Sequence, residues 1–255
     1  MKAALLTNGN LFCTLTLNSI SDIKNISSLI ILIEFPLHLK YYYRKNEKKN
    51  LLQFLKVVFR FFQNLYRICR FIGSNLKFIS KIRIINSVKS KSSVIYFQKQ
   101  NFDYIFLAGM SIIQEEIINS AKTAVVNCHP ALVPNVRGLD VIYHSVLNMI
   151  PPFISIHKVD KGIDTGELIK AHLVPINLLD TNDYEKLCLQ VYDYASKLFS
   201  FFIIEVLGED SGGVMKKVEL MNYPRLEYCK VVSKKNTELF FENLLYLKSI
   251  SCLNN

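Results

Sequence analysis

A chain of 255 residues, half of them apolar, suits one α/β domain with an appendage or one and a half domains, with apolar side chains enough for a large core. Six cysteines, at 13, 69, 128, 188, 229 and 252, show no close pairing; this excludes a disulfide framework and a zinc-ligand spacing, and fits a reducing cytosol. The formal net charge of +10 is uneven, with fourteen Lys or Arg and a single acid, Glu47, between Lys40 and Lys91. Such a patch is either a solvated helix face or a surface for an anionic ligand, whether a nucleotide diphosphate, RNA or an anionic membrane.

Residues 2–7 read as a first strand, too short and too soon interrupted for a signal peptide. Asn8-Gly9-Asn10 is a turn and 11–20 a helix; strand, glycine turn and helix together make a plausible phosphate site, although one glycine is a weak signal. The β-branched run 28–35 predicts a second buried strand, ended by Pro36. A polar, basic segment follows at 41–49. The spacing then predicts a helix over 51–72, with a polar stripe at Gln53, Lys56, Arg60, Gln63, Asn64, Arg67 and Arg70 and a broad apolar face including Leu51, Leu55, Phe59, Phe62, Tyr66 and Cys69. A span needs about 20 predominantly apolar residues, and four cations spread along this helix argue against one, so no transmembrane segment is expected here. It either packs on the sheet, docks on a partner or lies on a membrane surface; packing in the fold or in a homodimer is the favoured reading.

Residues 83–85 suggest a short strand, 92–99 a helix, 103–108 a buried strand ending in Gly109, 114–120 a helix and 124–127 the next strand. This rhythm of strand, helix and strand is what a parallel sheet requires. A helix is expected at 139–149 and a long amphipathic one at 182–207, capped by Asp180 or Thr181. Residues 208–213 form a linker, and the tail from 214 carries Tyr223-Pro224-Arg225 and a helix near 237–247. Two domains follow: 1–207 with a basic helical insertion at about 37–85, and 208–255 as a short, mostly helical tail.

The chemistry concentrates in two stretches. Val125-Val126-Asn127-Cys128-His129-Pro130 is a buried strand end on which Asn127 and His129 face one side and Cys128 the other. Pro130 and Pro134 stop it ahead of Arg137-Gly138, and polar groups at the C-terminal end of a strand are where open parallel sheets bind ligands. The second stretch is an alternating strand at 154–159, carrying His157, followed by a loop from Asp160 through Gly162 and Asp164 to Gly166. A lone Asn-x-His is more often a cap beside a core histidine. With the Asp164 loop added, the two stretches offer an amide, an imidazole and a carboxylate to one site. His157 is either a partner of that loop or a half-buried strand histidine, and His38, His144 and His172 have no context favouring function.

Asn127-x-His129-Pro-Ala-Leu-Val-Pro134-x-x-Arg137-Gly138, with Ser155-x-His157-x-Val159-Asp160-x-Gly162-x-Asp164-x-Gly166, resembles the 10-formyltetrahydrofolate-dependent formyltransferases from about 102 to 176. The resemblance implies a Rossmann-like α/β fold, a mostly parallel sheet flanked by helices, and Asn127, His129 and Asp164 as the catalytic trio. It also implies a folate pocket at Leu107, Ala108, Gly109 and Met110 with Asp160, Gly162 and Ile163, and acceptor contacts at Gly9, Asn10, Arg137 and Gly138. Phe153 stands where the family often has Gly, which would narrow the pocket. The implied reaction is formyl transfer from 10-formyltetrahydrofolate to a primary amine in the cytoplasm, without a metal. Protonated His129 and Asn127 would hold the developing oxyanion, and Asp164 would orient His129. Arg137-Gly138 resembles the tRNA and nucleotide-sugar branches more than the purine branch and the basic segment suits either of the two, while a tail too short for the separate C-terminal domain of methionyl-tRNA formyltransferases makes a nucleotide-linked amino sugar the expected acceptor. Methionyl-tRNA, glycinamide ribonucleotide, a formyltetrahydrofolate hydrolase and a binding protein for RNA or a membrane surface are the alternatives.

Overall fold

The computed structural model describes residues 1–20, 28–35, 51–176, 179, 183–208, 223–232 and 237–253. These fall into two compact units, 1–125 and 126–255.

The first unit is built on parallel strands in the order β3-β2-β1-β4: β1 (Ala3–Thr7), β2 (Leu29–Glu34), β3 (Ile82–Ile85) and β4 (Tyr104–Ala108). Strands covered on both faces need near-continuous apolar sequence, and β1 is buried at every position. Helix α1 (Leu11–Ile20) follows β1 after a turn that needs Gly9 at φ +75°. Helix α2 (Leu51–Ser74) is long, and α3 (Lys91–Gln100) starts where the Ser90 hydroxyl accepts from the Ser93 amide and ends on left-handed Asn101. Glu34 at the end of β2 accepts from the Ser87 hydroxyl and the Val88 amide, fixing the loop after β3. The helix expected at 114–120 is a single turn, α4 (Glu115–Ile118).

Strand β5 (Ala124–His129) leads into the second unit, where antiparallel pairing joins β5 to β6 (Phe153–Lys158) and β6 to β7 (Leu168–Leu173). Pairing of His129 with Ser155 carries β5 two residues past its expected end, until Pro130 removes the next donor. Helix α5 (Val141–Leu147) packs on α7 (Glu238–Leu253), with the Tyr143 and Phe240 rings stacked at 5.1 Å. Helix α6 (Tyr184–Val206) is capped by Asp183, whose carboxylate accepts from the Glu185 and Lys186 amides; the expected caps, Asp180 and Thr181, lie outside the described residues. By length and composition α6 alone among the described helices could cross a membrane, yet more than half of its most apolar stretch is buried, as in a core helix.

The apolar face expected to pack α2 into the fold does not do so. Val57, Ile68 and Phe71 are its buried residues, whereas Leu51, Leu55, Phe59, Phe62 and Tyr66 stay exposed. The basic segment 41–49 and the linker at 209–213 lie outside the described residues, and the division expected at 207/208 falls at that linker's edge.

Candidate active site

Along β5 the side chains alternate, so Asn127 and His129 share a face and Cys128 takes the other. The Cys128 thiol lies 3.8 Å from the Ala195 carbonyl of α6, and burial pushes its pKa up, away from nucleophilic use. The antiparallel register sets His157 opposite Asn127, within the reach of direct cross-strand neighbours. Asn127 Nδ2 and His157 Nε2 are 3.4 Å apart, and His157 Nδ1 is 2.8 Å from the Lys158 carbonyl. A carbonyl at Nδ1 requires the proton there, which leaves Nε2 to accept from the Asn127 amide. His157 therefore positions Asn127.

Asp164 comes from the loop between β6 and β7, held in the left-handed region at φ +50°. One oxygen, Oδ2, accepts from the Gly138 amide at 3.2 Å; the other, Oδ1, is 3.8 Å from both His129 Nδ1 and His157 Nε2. The loop is closed from within, because Asp160 Oδ1 accepts from the Gly162 amide at 2.9 Å and the Thr165 hydroxyl at 2.7 Å. On the other side Gly138, at φ +106°, is a bridge partner of Cys229, and the Cys229 amide donates to the Arg137 carbonyl. A Cβ at Gly138 would meet the Cys229 carbonyl oxygen at 2.6 Å, so only glycine lets the Arg137-Gly138 turn approach that closely.

His129 is 7% exposed, and its Nε2 is buried with no hydrogen-bond partner. Desolvation pulls its pKa down to about 4; the Asp164 carboxylate opposes this, and His157 adds to it. His157 is also lowered, first by burial. Burial thus favours the neutral imidazole at rest, whereas the sequence reading has the protonated form holding the oxyanion. With Asp164 on the Nδ1 side, the proton sits best at Nδ1, and Nε2 offers a lone pair. Buried polar atoms are ordinarily paired, so an orphaned acceptor nitrogen fits a donor such as a substrate amine.

The three residues named as catalytic thus converge, through elements of one unit. Gly138, expected at the acceptor, donates its amide to Asp164. Arg137 keeps a buried, unpartnered Nε. Phe153 does not narrow the site: it is buried in the core with Leu132, Val136 and Cys229, edge-on to Tyr223. Among the loop residues, Asp160 and Gly162 form the closed turn, and Ile163 is exposed. In the first unit, the strand ends of β1 and β4 bring Gly9 and Asn10 to Leu107–Met110, and Asn10 Nδ2 donates to the Gly109 carbonyl at 3.0 Å. The other end of that amide, Oδ1, caps α1 at the Cys13 amide, so the Asn10 side chain is committed to the fold at both ends. Among the described residues no group of three His, Cys, Asp or Glu is placed to hold a metal ion.

Residues 79–200 match the model of the family described as formyl transferase. The resemblance read from the sequence is borne out. A methionyl-tRNA formyltransferase of Wolbachia sp. subsp. Drosophila simulans is 31% identical over 134 residues, covering 51% of this chain and 43% of that relative. The chain thus spans less than half the length of that relative. A 4-N formyltransferase from Francisella tularensis shares the fold at TM-score 0.56 and 17% identity, covering 96% of this chain and 87% of its own. So does WlaRD, a sugar 3N-formyl transferase solved with dTDP and 5-N-formyl-THF, at TM-score 0.51 and 17% identity, with 97% and 79% covered. The formyltransferase match contains β4, β5, β6, β7 and most of α6, and so all of the 127–164 cluster.

Sequence reasoning left two contributors to this cluster unassigned. His157 was ambiguous because strand alternation alone does not say which strand it faces; antiparallel register does. Ser155, buried opposite His129, accepts from the Val133 amide at 3.1 Å and ties down the turn after β5. Tail residues 223–229 brace that turn as well, the Tyr223 carbonyl accepting from Asn135 Nδ2 at 2.6 Å. The only signal for this was Tyr223-Pro224-Arg225, which carries no spacing rule.

Proposed function

We propose that the protein transfers a formyl group from 10-formyltetrahydrofolate to a primary amine, with Asn127, His129 and Asp164 as the reacting side chains. The observation that carries this is the orphaned, buried Nε2 of neutral His129, whose other ring nitrogen, Nδ1, lies 3.8 Å from the Asp164 carboxylate. Asn127 spends one N–H on His157 and keeps a second for an oxygen that gains negative charge. His129 Nε2 takes the proton that an attacking amine must lose. The imidazolium so formed lies beside the Asp164 carboxylate, which favours the charge in a buried setting, and it returns the proton to the folate N10 as the bond from N10 to the formyl carbon breaks and tetrahydrofolate leaves. The donor supplies an electrophilic formyl carbon. Leu107–Met110, Asp160, Gly162 and Ile163 are the residues proposed to bind it.

For the acceptor we favour a nucleotide-linked amino sugar. Arg137, with its buried and unpartnered Nε, is the group proposed to meet an anionic portion of it. Methionyl-tRNA is the second reading, favoured by the relative that is 31% identical. Release of tetrahydrofolate from 10-formyltetrahydrofolate, measured with a panel of amino-sugar nucleotides and with methionyl-tRNA, separates them. Acceptor-dependent release names the acceptor class. Release without acceptor assigns a hydrolase, and absence of folate binding removes the proposal.

A further inference from the structure

Helix α2 is amphipathic in an unusual sense, because the part of its surface that faces the core is not its most apolar part. At about 100° per residue, Leu51, Leu55, Phe59, Phe62 and Tyr66 fall within an arc of about 80°. All five are exposed, Phe59 by 63% and Tyr66 by 69%. The buried side chains, Val57, Ile68 and Phe71, occupy a separate arc, so the helix is already anchored without this stripe. Five large exposed apolar side chains in one row form a patch of the kind that marks an interaction surface.

Charge selects the occupant. The exposed cations Arg70 and Lys56 lie on one side of the stripe, Arg70 next to it and Lys56 farther round the helix, and no acidic residue occurs anywhere from 51 to 91. A second copy of this chain would bring the same unopposed cations to the contact. Nucleic acid would use cations and aromatic rings, but it has no place for Leu51 and Leu55. An apolar row with cations along one side of a long helix is what an anionic bilayer surface takes, the row entering the boundary of headgroups and acyl chains and the cations meeting phosphates. We propose that α2 docks the protein on an anionic lipid surface through Leu51, Leu55, Phe59, Phe62 and Tyr66.

The test is co-sedimentation of the full chain with vesicles of phosphatidylcholine alone and of phosphatidylcholine with phosphatidylglycerol. Binding is expected to the anionic vesicles, to weaken with salt, and to be lost in the Phe59→Ser/Phe62→Ser double variant, whose fold is checked by circular dichroism. Lys56→Gln and Arg70→Gln should each weaken it about fivefold, the effect of one cation near such a surface. No binding to anionic vesicles overturns the proposal, as does binding unchanged in the double variant. A dimer in solution that Phe59→Ser/Phe62→Ser dissolves overturns it in favour of a second copy. RNA that binds α2 in place of vesicles, by competition, overturns it in favour of nucleic acid.

Discussion

Around Asn127 the chain buries polar groups; along α2 it exposes apolar ones. The first region places two histidines, 7% and 2% exposed, next to a carboxylate and a carboxamide. Desolvation there costs free energy, and the partners recover only part of it, since His129 Nε2 has none. The second region leaves rings and leucines in water while Val57, Ile68 and Phe71 fasten the same helix. Neither arrangement is what stability alone selects. A fold that only needed to persist would pair that imidazole and turn that stripe inward. The difference between them is the kind of function each suggests: a buried, under-satisfied polar group suits chemistry on a small molecule, and an exposed apolar row suits contact with something large.

The largest effect expected at the polar cluster is on rate. His129→Ala removes the proposed proton acceptor and should lower kcat for formyl transfer by about 10²–10⁴-fold, the usual range for a positioned acid–base group. Stability should change little or rise, because an under-satisfied buried group leaves with the side chain. Steady-state kinetics with folding monitored in parallel is the check. Unchanged turnover would leave the cluster without its assigned role.

Next comes the backbone that holds the cluster together. Gly138 donates to Asp164 while sitting at φ +106° against the Cys229 carbonyl. Gly138→Ala forces a move at both contacts and should cost about 1–3 kcal/mol, the scale for strained backbone positions. Denaturant unfolding measures this, and the Asp164 contribution to kcat should fall with it. A neutral outcome would mean that the 223–232 tail does not brace the turn in solution.

Acid should also read the cluster. The folded-state pKa of His129 is depressed from an ordinary 6.5 to about 4, and that of His157 is depressed too. A depressed histidine binds fewer protons folded than unfolded, so its contribution is present above pH 6.5 and is lost as pH falls toward 4. Stability should therefore drop through that window, and His129→Gln should flatten the drop. An identical slope in wild type and variant would place the pH dependence on other groups.

These outcomes bear on how much the sequence alone could say. The parallel half of the fold was legible because short apolar runs such as 3–7, 29–34 and 104–108 read as buried strands, closed by Gly9, Pro36 and Gly109. The pairing of Asn127 with His129 was legible too, since alternation is a local rule. What escaped was everything that depends on register or on distant chain. His157 gained a role only through its place opposite Asn127, Gly138 only through the Asp164 carboxylate, and Phe153 lost its expected one by turning into the core with Tyr223. The protonation state of His129 escaped for the same reason, being set by burial more than by its sequence neighbours. For α2 the periodicity was right, and of the coverings it allowed, packing of that face inside this chain is the one the exposed row rules out: a helical apolar face states that something will cover it, but not what.

That last point yields the smallest expected effect and the one that most sharpens the contrast. Phe71 is on the buried face of α2, and Phe71→Ala should cost about 3–5 kcal/mol through lost contacts and a cavity. Phe59 lies on the same helix, three turns earlier, with 63% of its surface in water. Phe59→Ser should change stability by no more than about 0.5 kcal/mol, as surface substitutions usually do. Thermal unfolding of the isolated protein at two concentrations decides between them. A large, concentration-dependent loss in Phe59→Ser would mean that the stripe is already covered in solution by another copy, and the lipid surface would lose its claim. A null result leaves Phe59 idle in the free protein, with its burial still available to drive attachment elsewhere. An apolar ring that contributes nothing to folding, kept in a stretch that carries cations and no acid from 51 to 91, is then explained by what it meets outside the chain.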